Sequence, residues 1–143
     1  MPDLYRNSGM KKSNSIPFDF VLEQLFSLDP RVKPMFGCHA IYVGDKIMMI
    51  LRNKPGSHED DNGIWLSTKT EHHATLKKIF PTMRSIQVLG NGATNWQIIP
   101  VDSGDFEESA IKVCDLILKN DPRIGNVPKA RKKSAKTRSK KKN

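Results

Sequence analysis

Apolar positions along the chain follow strand and helix periods in turn, and the strand period is clearest in "MFGCHAIYVGDKIMMIL" (35–51). The run is rich in aromatic, β-branched and other apolar residues. It is broken once, at Gly44-Asp45, so it reads as a β-hairpin closed by a two-residue loop. Closing at Val43 opposite Lys46 sets Tyr42 across from Ile47, Ala40 from Met49 and Cys38 from Leu51, with Phe36 on the same face. Gly37, His39, Ile41, Val43, Met48 and Ile50 form the other row, since side chains alternate along a strand. Gly44 is expected at positive φ in the first position of a type II′ turn, while Gly37 makes room for a close neighbour or a bulge.

Helical spacing flanks this hairpin. Ser15, with Pro17 close behind, opens a helix whose apolar stripe is Phe18, Val21, Leu22, Leu25 and Phe26, and which stops before Asp29-Pro30. After the hairpin, "KPGSHEDDNG" is a polar loop and "IWLST" a third strand. Thr68 and Glu71 have capping-box spacing for a second helix in which His72, Leu76, Ile79 and Phe80 share a face before Pro81. Strands "SIQVL" and "NWQIIPV" follow, joined by "GNGAT". The last helix begins near Asp105, with Glu108 three residues on, and lines up Phe106, Ala110, Val113, Cys114, Ile117 and Leu118. The order predicts a single small α+β domain: a mainly antiparallel sheet of about five strands with three helices on one face.

Composition adds boundaries to this pattern. With 143 residues, 37% of them hydrophobic, the chain suits one core of ordinary size. The expected division is a flexible N-terminus (1–14), a folded domain (15–122) and a disordered tail (123–143). No apolar run approaches the length of a membrane span, and no signal segment is evident. Cys38 and Cys114 each sit inside an apolar pattern, which predicts two buried thiols in a reducing cytoplasm and no disulfide framework.

Charge changes the picture most. The formal net charge is +9, from 24 Lys and Arg against 15 Asp and Glu. Nine of the basic residues lie in "KARKKSAKTRSKKKN": Lys129, Arg131, Lys132, Lys133, Lys136, Arg138, Lys140, Lys141 and Lys142. The body upstream is therefore neutral. A segment of this composition binds phosphates through counterion release and does not read bases, so the tail predicts nonspecific affinity for DNA or RNA.

Other constellations point elsewhere only weakly. Cys38 and His39 occupy opposite rows, so they cannot form a nucleophile–base pair. His58, Glu59, Asp60 and Asp61 are hard ligands in a loop, without the spacing of a calcium site, and are read as solvated. His72 and His73 are neighbours on a helix and cannot chelate as an i, i+4 pair would, with His73 placed on the outside. Trp65 and Trp96 fall in strand patterns as core or half-buried residues, and Gly90-Asn91-Gly92 leads into a strand and not a helix.

The hairpin run, with Met35-Phe36-Gly37 at its head after a short amphipathic helix and a Pro-containing link, resembles the N-terminal domain of the TfoX/Sxy family of bacterial competence regulators. The later half, with "IWLST", "NWQIIPV" and a closing helix ending in "NDP", is similar to the related YjbR-like small α+β domains. Over residues 16–122 the resemblance implies a regulatory or binding role without catalytic residues, metal or cofactor. Full-length competence regulators carry a helical second domain where this chain has a basic tail. Alternatives from other classes are a metal-dependent enzyme using the loop carboxylates and histidines, and a module for binding a protein partner or forming a homodimer.

Overall fold

The computed structural model describes residues 16–88 and 95–128. The segments 1–15, 89–94 and 129–143, which include the Gly90-Asn91-Gly92 turn and the basic tail, lie outside them. The described residues form an α+β unit of three helices and a six-stranded antiparallel sheet. In chain order these are α1 (Phe20–Gln24), β1 (Arg31–Met35), β2 (Cys38–Val43), β3 (Lys46–Arg52), β4 (Gly63–Ser67), α2 (His73–Ile79), β5 (Arg84–Ser85), β6 (Trp96–Pro100) and α3 (Phe106–Leu118). The strand order is β1-β2-β3-β4-β6-β5, and no helix is long and apolar enough to cross a membrane among the described residues.

The sheet has one strand more than the sequence predicts. Residues 31–35 carry charges and Pro34, and read as a link. They nonetheless pair with β2 as an edge strand, where proline's missing N–H can face outward. The connection is a two-residue turn, Phe36-Gly37, with φ of +52° and +77°. That sign pattern belongs to a type I′ turn, which favours Asn-Gly. Phe36 is therefore the turn tip, 89% exposed, and not a member of the Cys38 row. Holding an aromatic residue in this conformation costs about 1–2 kcal/mol.

The second hairpin closes as expected, with Val43 opposite Lys46, Tyr42 opposite Ile47 and Gly44 at φ +64°. Beyond it the register shifts between Ile41 and Tyr42, so Ile41 faces Met49, Ala40 faces Ile50 and His39 faces Leu51. The extra residue turns Met48 and Met49 to one side, and a bulge of this kind exchanges the faces of everything after it. Met49 and Leu51 thus join Ile41 under the helices, while Ile50 joins Ile47, Cys38, Ala40 and Tyr42 on the other face.

All three helices contribute to the cluster on the first face: Val21 from α1, Leu76 from α2, and Phe106, Ala110, Val113, Cys114 and Ile117 from α3 pack against Ile41, Leu51, Ile64, Leu66 and Ile99. Phe18 meets Phe106 edge-on with centroids 5.0 Å apart. The first helix is shorter than its stripe suggests, because Phe18 stands at φ +55° and a 3₁₀ turn, Phe26–Leu28, ends at left-handed Asp29 before Pro30. Phe26 is consequently exposed, as in part is Leu118. Neither expected capping box forms: Thr68 and Asp105 make no side-chain cap, although α3 starts where the pattern placed it.

Folded structure continues to Pro128, past the expected boundary at 122. Asn120, at φ +60°, ends α3 in a Schellman arrangement, its N–H bonding Ile117 O and that of Asp121 bonding Leu116 O, both at 2.9 Å. The chain then straps back across the sheet. Ile124 is buried, Gly125 N donates to Ser67 O at 2.7 Å, and Asn126 exchanges both backbone hydrogen bonds with Ile47.

Gly63 marks the tightest approach. At φ +147°, any Cβ there would run into the Ile99 carbonyl and stand 2.9 Å from Val101 N. Gly63→Ala is expected to cost about 3 kcal/mol in urea unfolding, because backbone must move. Gly44→Ala, with open space around it, should cost only about 1 kcal/mol, from its positive φ. Equal costs at the two positions would contradict this register.

Candidate nucleic-acid interface

The nine tail residues proposed from sequence lie outside the described residues, but the chain that leads to them ends on a definite surface. Pro128 and Val127 line a cleft of about 960 Å³ together with Met35, Tyr42, Lys46, Ile47, Thr68, Lys69 and Trp96. One part of the lining is aromatic and apolar. Tyr42 comes from β2, and Trp96, at the start of β6, lies against Trp65 with centroids 6.1 Å apart. Trp65 itself is buried and donates its indole N–H to Asp61 O at 2.9 Å.

The other part is polar. Thr70 donates both its N–H and its hydroxyl to Asn95 Oδ1, at 3.2 and 3.0 Å. Asn126 Nδ2 donates to Ser67 Oγ and Thr68 O. Thr68 is only 1% exposed, and its hydroxyl has no hydrogen-bond partner among the described residues. A buried unpaired hydroxyl is uncommon and marks a position where a further acceptor or donor would be satisfied.

Basic residues gather along the first edge of the sheet. No acidic residue occurs between Pro30 and Asp45. The Arg31 guanidinium and Lys33 ammonium both lie over the Tyr42 ring, 5.4 and 5.8 Å from its centroid, within cation–π range. Acidic side chains occupy α3 and the turn before it: Asp102, Asp105, Glu107, Glu108 and Asp115. β1 therefore carries only bases, whereas α3 and the turn before it carry five acids against Lys112.

The loop read as solvated is knit together. Buried Arg52 donates to His58 O at 2.7 Å and Asn62 Oδ1 at 2.8 Å, and Asn62 bridges to both backbone groups of Lys54. Asp61, 1% exposed, accepts from Arg84 Nη1 at 3.0 Å and from the N–H groups of Gln87 and Val88 at 2.7 Å each. These bonds replace the ladder that "SIQVL" would have made, so β5 stops at Ser85. Burial alone would raise the Asp61 pKa, but the Gln87 N–H, Arg84 and the Val88 N–H together hold it below the ordinary carboxylate value.

The remaining titratable groups are dispersed. Cys38 is buried, and burial pushes its thiol up despite the nearby Arg52 and Lys54 charges. Cys114 is deeper still, pushed up to about 12 by burial and by Asp115. His39 lies in the row opposite Cys38, where it faces Leu51. His73 is half-buried, not on the outside as expected, and burial lowers its pKa. Among the described residues, no three His, Cys, Asp or Glu side chains come together in a group that could hold a metal ion.

No family model matches this chain, and neither a curated protein nor a solved structure matches it. The cleft, the basic edge and the buried carboxylate are accordingly read from this chain's own chemistry. The sequence pattern missed Arg52, whose partners lie in the following loop, and it missed Asp61 because that residue looks like an ordinary loop charge until Arg84, Gln87 and Val88 arrive from distant positions.

Two outcomes follow from the buried groups. Asp61→Asn is expected to destabilise the protein by about 2–4 kcal/mol at neutral pH, since Arg84 and two N–H groups lose a charged acceptor. Because the folded pKa is depressed, the stabilisation from Asp61 is fully present above the unfolded carboxylate value of about 3.9 and is lost as pH falls through the folded one. Chemical denaturation should therefore show wild type losing its advantage over Asp61→Asn with acidification in that window. Both thiols, in turn, should react with a thiol reagent only as fast as the protein opens. Rapid labelling of native Cys38 would contradict its burial.

Proposed function

We propose that this chain is a small, non-enzymatic, cytoplasmic binding protein of the TfoX N-terminal kind whose ligand is nucleic acid, DNA or RNA. The basic tail supplies sequence-independent phosphate affinity, and the cleft at its root receives the strand. The observation that carries this reading is the convergence at Pro128. The last residue before the nine charges lines the same cleft as Lys46, Lys69, Tyr42 and Trp96. Cations beside aromatic faces are the combination that holds a phosphate backbone and stacks a base. Of the loop carboxylates that the metal-dependent alternative would use, Asp61 already serves Arg84 and two backbone N–H groups.

The salt dependence of binding tests the proposal. If all nine tail charges engage duplex DNA, log affinity should fall with log salt at a slope near −8, from about −0.9 per neutralised phosphate, and engaging half of them gives roughly −4. Replacing the nine Lys and Arg residues by Gln in the full-length chain should remove most of that slope without shifting the melting temperature. The pair Lys46→Glu and Lys69→Glu should weaken binding further in either background. A wild-type protein that binds neither DNA nor RNA at low salt overturns the reading.

A further inference from the structure

The tip of the first hairpin offers an aromatic ring to solvent in a place where the fold gains nothing from it. Phe36 is 89% exposed, at φ +52°, in the first of two turn positions that favour Asn-Gly. The ring takes part in no aromatic pair among the described residues. A bulky residue kept in a left-handed turn conformation while its side chain points at water indicates a use outside the fold.

The surroundings of the tip identify the partner by charge. Lys54 Nζ donates to Phe36 O at 3.4 Å, which places an ammonium beside the turn. The Cβ position of Gly37 is 3.1 Å from the same ammonium. Lys33 and Arg31 follow along β1, and Met35, the neighbour of Phe36, lines the cleft that ends at Pro128. By contrast, Phe26 is also exposed, but Glu23 and Asp29 flank it in sequence. Apolar side chains carried on basic projections are the groups that unstack or cap nucleobases.

We propose that Phe36 is a stacking tip that contacts an unpaired base, in a single strand or at a distorted step of a duplex, while Lys54 and Lys33 hold the adjoining phosphates. This rests on the nucleic-acid reading and names the form of nucleic acid preferred. The tip distinguishes unpaired from paired bases, whereas the tail charges do not.

The test compares the full-length protein with Phe36→Asn and Phe36→Trp, by fluorescence anisotropy at fixed low salt. The probes are a labelled single-stranded oligonucleotide, its duplex, and the same duplex with a one-base bulge. Asn suits the turn, so Phe36→Asn should melt at or above the wild-type temperature, which excludes misfolding as the cause of any lost binding. It should lose about tenfold in affinity for the single strand, the bulged duplex or both, the loss expected for one stacked base, and keep its affinity for the intact duplex. Phe36→Trp should bind like wild type. Loss on one probe alone tells free strands from distorted duplex, and either supports the proposal. Unchanged binding of Phe36→Asn to all three probes overturns the tip's role while leaving the broader reading intact, whereas a wild type that binds none of them overturns both. A change of oligomeric state in Phe36→Asn, read by light scattering, would make the tip a contact with a second copy and would also overturn the proposal.

Discussion

Because side chains alternate along a strand, the extra residue that β3 carries opposite Ile41 determines which groups the sheet gives to each of its faces. Without it, Met49 and Leu51 would point away from α1 and α3, and the helices would meet Ile50 instead. With it, Met49 and Leu51 join Ile41 and Met48 on the helix-covered face, and Ile50 joins Ile47, Tyr42 and Trp65 on the opposite one. Both faces of β3 are therefore apolar, which is why all its residues after Lys46 are buried. Ile47 and Tyr42, paired on the turn side of the shift, stand side by side in the apolar wall of the cleft.

The number and kind of most elements were legible in the sequence because they rest on local patterns. The Gly44-Asp45 loop, the "IWLST" strand and the α3 stripe each declare themselves within a dozen residues. The bulge does not, because a run such as "IMMIL" is apolar at every position and fits either register. β1 was hidden for a different reason. Its charges and Pro34 suit an exposed edge, and an edge strand owes its existence to a neighbour more than to its own composition. The turn at Phe36-Gly37 was hidden with it, since an aromatic residue is the wrong chemistry for that position.

Of the candidate site, the tail was plain from charge alone, and the cleft at its root was not. It is assembled from the ends of strands far apart in the chain and from a strap read as part of the tail. Asp61 shows the same difficulty from the other side. A carboxylate in a run of acids and polar residues looks solvated, but Arg84, Gln87 and Val88 reach it from more than twenty positions away. Burying that charge with three donors fixes the loop over Trp65, whose indole donates to the same residue's carbonyl.

The strap also sets an order of events. Ile47 offers its N–H and carbonyl to Asn126, and Ser67 offers its carbonyl to Gly125, so two central strands end in backbone groups that only the far end of the domain can satisfy. Contacts this distant in sequence form late, because the whole intervening chain must first be brought into place. On a ribosome, the hairpin emerges well before its clasp does. The nascent chain must wait, with those strand ends open, until the residues leading into the basic segment have left the exit tunnel.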